Sequence, residues 1–196
     1  MYNIMPSQSF KLTGKELKST FGVDRFYVIL DDKMRNLIFG NDDDFFIVSA
    51  GKNYLNEDLD EYCEDGNGYK ISTIFDLPSW LSPKEHYQTK NIQTMKYIGV
   101  VEINDDTKCN LVQVYDNNGK IIKQFYKTDY INITVIINIS DFIHCNIDAF
   151  ASTPTDIRYL LNATLINKNL KHELLPKLSQ NTCFFSKLCA IVLASP

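Results

Sequence analysis

Five cysteines, three histidines and a dense set of carboxylates are the residues from which this 196-residue chain could build chemistry. A thiol hydrolase needs a cysteine whose proton a histidine takes, with a third group orienting the ring. Cys63 with His86 is the catalytic pair that the sequence offers for such an enzyme, and Cys109 with His144 and Asp141 is a second combination. Spacing alone brings neither set together. Cys109 and Cys145 lie in apolar surroundings, where a free thiol usually acts as a small hydrophobe. Zinc would need a spacing such as HExxH, CxxC or HxH, and none occurs; His144 and Cys145 are adjacent, so on a strand they would point to opposite faces. Nor does the chain contain a GxxxxGKS or GxGxxG phosphate loop or a GxSxG nucleophile elbow. Carboxylates are plentiful, but an acid and a base must have environments that drive their pKa values apart, and contiguous aspartates share one solvated environment. No cofactor and no metal are expected. The leading expectation is a non-enzymatic protein, with a cysteine-dependent hydrolase as the alternative.

Residues 24–65 are the most unusual feature. They hold twelve carboxylates, including Asp42, Asp43, Asp44, Asp58 and Asp60, against only Arg25, Lys33, Arg35 and Lys52, whereas the remaining residues carry a net positive charge. Within this region Glu64-Asp65-Gly66-Asn67-Gly68 resembles the centre of an EF-hand loop, in which alternating oxygen ligands wrap calcium and a glycine makes the sharp turn. With Asp65, Asn67 and Gly68 in the third, fifth and sixth positions, Cys63 and Ile74 fall where the leading aspartate and the closing bidentate glutamate are needed. A glycine-rich turn in an acidic loop is the expectation. Clustered acids accelerate encounter with a basic partner, and apolar side chains among them, Phe45 and Phe46, supply anchors. Trp80, in the apolar knot Leu77-Pro78-Ser79-Trp80-Leu81, is a further anchor if exposed and core if not. The expected partner is another protein with a basic surface, as for an inhibitor, an immunity protein, a viral accessory protein or a particle subunit. With a formal net charge of −4, no nucleic acid is expected as a partner.

Several elements must position these residues. Phe26–Leu30, Leu37–Phe39 and Phe45–Val48 read as short strands with acidic turns between them. Met95–Ile103, Cys109–Tyr115, Lys120–Phe125 and Tyr130–Ile139 are rich in β-branched and aromatic residues and read as a four-strand meander, with Asn118-Gly119 as a hairpin turn. Ile131, Ile133, Val135, Ile137 and Ile139 alternate with mostly polar residues, which predicts one buried face. Thr13 with Glu16, Ser82 with Pro83 and Glu85, and Thr153 with Pro154 and Asp156 mark helix starts; after the third, Ile157, Leu160, Leu161 and Thr164 recur at helical spacing, and Leu170, Leu174, Leu175 and Leu178 do so again. Periodicity leaves Cys183–Ala194 open between a strand and a helix. The expected fold is α+β, with an antiparallel β-meander sheet in the first ~140 residues and a mainly helical C-terminal third, as a single domain over residues 1–196 (strand-rich 24–140, helix-rich 152–182). An odd number of cysteines without a disulfide framework, and no secretory pattern in residues 1–10, point to a reducing, intracellular or cytoplasmic compartment. Apolar runs too short to span a bilayer give no expectation of a membrane partner.

Overall fold

A computed structural model describes residues 7–38, 46–55, 59, 67–82 and 86–193. In chain order the elements are strand β1 (Ser7–Thr13), helix α1 (Gly14–Phe21), strands β2 (Phe26–Leu30), β3 (Gly51–Tyr54) and β4 (Tyr69–Ile71), and a 3-10 turn at Leu77–Leu81. Helix α2 (His86–Thr94) leads to β5 (Tyr97–Glu102), β6 (Lys108–Tyr115), β7 (Ile121–Thr128) and β8 (Tyr130–Asn138). The rest is helical: α3 (Ile139–Cys145), α4 (Ile147–Phe150), α5 (Pro154–Ile166), a π-helical turn at Leu170–Leu174, α6 (Leu175–Gln180) and α7 (Thr182–Leu193). The fold is α+β, and the apolar run after Thr182 is a helix.

Two of the helix starts follow their sequence signals, while Pro83 and Glu85 of the third signal lie outside the described residues. Thr13 and Glu16 form a reciprocal capping box on α1, as do Thr153 and Asp156 on α5, where Pro154 occupies the first turn. Each box satisfies amides that the first helical turn leaves without intrahelical partners. The β6–β7 hairpin turns at Gly119, whose φ of 77° is readily adopted by glycine, and the Asp116 carboxylate accepts the amides of Asn118 and Lys120, both at 2.9 Å.

The strands form two antiparallel sheets rather than one meander. The first has the order β1-β6-β7-β4 and the second β2-β5-β8-β3; an isolated bridge between Tyr27 and Ser72 joins β2 to the chain just after β4. Of the four strands in the middle of the chain only β6 and β7 form a hairpin, while β5 and β8 pair with each other in the second sheet. Strand composition marks where strands lie but not which strands pair; β5 sends Ile98 to one core and Val101 to the other. Between the sheets lies one core, including Phe26, Val28, Ile71, Val101, Cys109, Tyr126, Ile131 and Ile133. A second core lies under the helices, where Ile29, Ile98, Val112, Val114 and Phe125 from the sheets meet Trp80, Phe142, Leu160, Leu170 and Leu174.

The two cores alter the expected face of β8. Val101 pairs with Ile133 but Val100 with Val135, so β8 carries one extra residue, Thr134, at a bulge. Side chains change face across it. Ile131 and Ile133 enter the inter-sheet core, Ile136 packs on that same core, Ile137 packs on the helical one, and Val135 is 51% exposed. The single buried face expected from Ile131 to Ile139 is therefore incorrect, because one inserted residue reverses the two-residue alternation.

Candidate functional site

In the acidic region, side chains divide between structural and exposed roles. Asp31 is fully buried: its carboxylate accepts the amides of Lys33 and Arg35 and pairs with Arg35 Nε at 2.5 Å, closing the turn after β2. This consumes one acid and one base, so the region's excess of carboxylates is unchanged. The chain then returns through Asn36, whose Nδ2 donates to the Lys70 carbonyl at 2.7 Å, and Leu37 and Ile38 enter the helical core. Of the expected strands in this region, Phe26–Leu30 forms β2, while Asn36 and Ile47 take part only in isolated bridges. The expected binding residues Asp42, Asp43, Asp44, Phe45, Asp58 and Asp60 lie outside the described residues, as does Cys63. Phe46 is half-buried, with its ring 5.5 Å from that of Tyr69.

Two apolar residues that sequence reasoning did not select are exposed and lie within a few residues of these acids in the sequence. Ile47 is 72% exposed and Tyr54, at the end of edge strand β3, is 61% exposed with its ring 4.8 Å from that of Tyr130. Ile47 follows Asp42–Asp44 by three residues, and Tyr54 precedes Glu57 by three. No periodicity distinguishes them from buried neighbours such as Val48; their exposure depends on where the edge of the sheet falls.

Trp80 takes the core role of the two that its sequence allowed. It is 5% exposed and meets Phe125 edge-on, with centroids 5.9 Å apart. His86 begins α2. Cys109 lies between the sheets, with Sγ 3.5 Å from the Thr107 carbonyl, and burial pushes its thiol up to about 12, reinforced by the Asp129 charge. His144 is exposed on α3, and Asp141 is paired with Lys177 at 2.5 Å, so Cys109, His144 and Asp141 do not assemble as a nucleophilic triad. Among the described residues no group of three or more His, Cys, Asp or Glu is placed to hold a metal ion, and no helix is long and apolar enough to cross a membrane.

A groove of about 620 Å³ opens where β2 begins, bordered by Lys18, Asp24, Arg25, Tyr27 and Glu102 over the apolar Ile74 and Ile103. Lys18 is committed to Asp105, whose carboxyl is held below its usual range by that hydrogen bond and charge. Burial raises the Tyr27 phenol, opposed by the nearby Arg25 charge. Asp24 thus brings one end of the acidic region to a mixed-charge cleft.

The comparisons give no relative from which to borrow a role: no family model, no curated protein and no solved structure matches this chain.

Proposed function

We propose that this is a non-enzymatic interaction protein that binds a basic protein partner through the acidic surface of residues 24–65. The observation that carries the reading is the exposure of Ile47 and Tyr54, which in the sequence adjoin the two segments, 39–45 and 56–66, that contain nine of the region's twelve carboxylates. Exposed charge at a rim governs encounter, and apolar or aromatic side chains within it govern residence. Structural use of Asp31 with Arg35 leaves the local negative charge intact. The protected Cys109 thiol supports the same reading by removing one candidate nucleophile.

Zero-length carboxylate–amine crosslinking in extracts of the native source tests it. Crosslinks from Asp42–Asp44 or from the carboxylates of residues 57–65 to lysines of one protein partner are expected. A specific complex crosslinked only through other surfaces, with Ile47→Ser and Tyr54→Ser leaving its affinity unchanged, contradicts the proposal.

A further inference from the structure

On the inner face of the first sheet, beyond the apolar part of the inter-sheet core, three glutamines form a row across three strands. Gln8 of β1 pairs in register with Gln113 of β6, which pairs with Gln124 of β7. The last two are joined head to tail: Gln113 Nε2 donates to Gln124 Oε1 at 2.8 Å, and Gln124 Nε2 donates to the Tyr126 hydroxyl at 3.0 Å. At the inner end stands Asp76, which accepts the Thr73 hydroxyl at 2.7 Å and is also approached by Gln124 and by the Tyr126 hydroxyl at 3.5 Å.

The Tyr126 hydroxyl gives its one proton to Asp76 and accepts from Gln124 Nε2, which leaves Gln124 Oε1 to accept from Gln113 and so orients both amides. At the outer end the Tyr115 hydroxyl lies 2.8 Å from Gln113 Oε1 and 3.2 Å from Gln8 Oε1. It has one proton, and the shorter contact takes it. The N–H groups of Gln8 and the second N–H of Gln113 then have no hydrogen-bond acceptor among the described residues. Phe10 lies on the same face, one alternation along β1 from Gln8, and is 46% exposed.

We propose that this row is a binding site for a neutral oligosaccharide. A planar amide offers a donor and an acceptor side by side, which matches two neighbouring sugar hydroxyls, and an exposed aromatic ring presents a negative face to the C–H groups of a pyranose. On this face the described side chains of β1 and β6 are Gln8, Phe10, Leu12, Cys109, Leu111, Gln113 and Tyr115, none carrying charge to attract a phosphate, a nucleic acid or a charged peptide. Fixing the Gln113 amide before binding reduces the entropy lost when a ligand docks. This site is separate from the acidic region and does not depend on the function proposed above.

The test is an NMR titration of the folded, isotope-labelled chain with cellohexaose, maltohexaose, xylohexaose and chitohexaose in the millimolar range. With at least one sugar, the side-chain amide resonances of Gln8 and Gln113 should shift, and Gln113→Ala and Phe10→Ala should each weaken that binding about tenfold while leaving the melting temperature within about 2 °C. Absence of a shift with all four sugars overturns the proposal, and so does binding that both variants retain at full strength.

Discussion

The bulge at Thr134 makes a prediction opposite to the one that simple alternation makes for β8. Aspartate is placed in turn at positions 135, 136 and 137. Alternation groups Val135 with Ile137 as buried and sets Ile136 outside, whereas in the structure Ile136 and Ile137 are each partly buried against a different core and Val135 is 51% exposed. Full burial of an isoleucine side chain is worth roughly 1.5–3 kcal/mol, so half of it contributes about 1 kcal/mol. A carboxylate brought to the margin of an apolar core without a partner adds a penalty of about 1–2 kcal/mol. Ile136→Asp and Ile137→Asp should therefore each destabilise by about 2–3 kcal/mol, a substantial part of an ordinary domain's stability. Val135→Asp should stay within about 0.5 kcal/mol. Urea melts followed by circular dichroism measure this, with an unchanged m value showing that compactness is not altered. A mild Ile136→Asp together with a severe Val135→Asp would refute the bulge and restore a single buried face.

Other consequences concern buried polar groups. Asn167 is fully buried, donating from Nδ2 to the carbonyls of Ile92 (2.6 Å) and Met95 (2.9 Å) and accepting the Leu170 amide at 3.0 Å, so Asn167→Leu should cost about 3 kcal/mol or more by leaving those backbone groups without partners, measured by urea melts. Burial raises the Asp76 carboxyl above its ordinary value, opposed by its hydrogen bonds to Thr73, Gln124 and Tyr126. Between the unfolded and the raised folded pKa the native state holds a proton that the unfolded state has released, so this group's contribution to stability grows as pH falls through the folded value; relative to Asp76→Asn, the wild-type protein should gain stability on going from pH 7 towards pH 4, read from parallel melts. Thiol labelling at neutral pH followed by peptide mapping should modify the exposed Cys145, Cys183 and Cys189 well before Cys109, whose burial disfavours the thiolate; equal rates would contradict the inter-sheet placement of Cys109.

Local chemistry was legible where it acts over a few residues. The Thr13–Glu16 and Thr153–Asp156 boxes and the Gly119 turn were readable because their partners are close in sequence and their geometry is local. The division of strands between two sheets was not, because Asn104–Thr107 can redirect a chain to another sheet as easily as it can close a hairpin. Nor was the single extra residue at Thr134, since only the partner strand's register reveals it. Trp80 could not be assigned between core and surface from its neighbours, because the deciding contact is with Phe125, 45 residues away. The amide row was missed for the same reason: Gln8, Gln113 and Gln124 are unremarkable one by one, and only sheet pairing aligns them. Ile47 and Tyr54 show the converse limit, since apolar type alone predicts burial while the sheet edge exposes them.

The central claim is that the acidic region steers a basic partner, and the association rate tests it most directly. With the crosslinked partner purified, stopped-flow mixing at two ionic strengths compares the wild-type protein with the variant in which Asp42, Asp43 and Asp44 are all replaced by Asn. Exposed charges act on encounter, so the variant should associate about tenfold more slowly at low salt, show a flatter salt dependence and dissociate at nearly the wild-type rate. An association rate and salt dependence equal to those of the wild type would contradict the account and leave these carboxylates as a solvated surface.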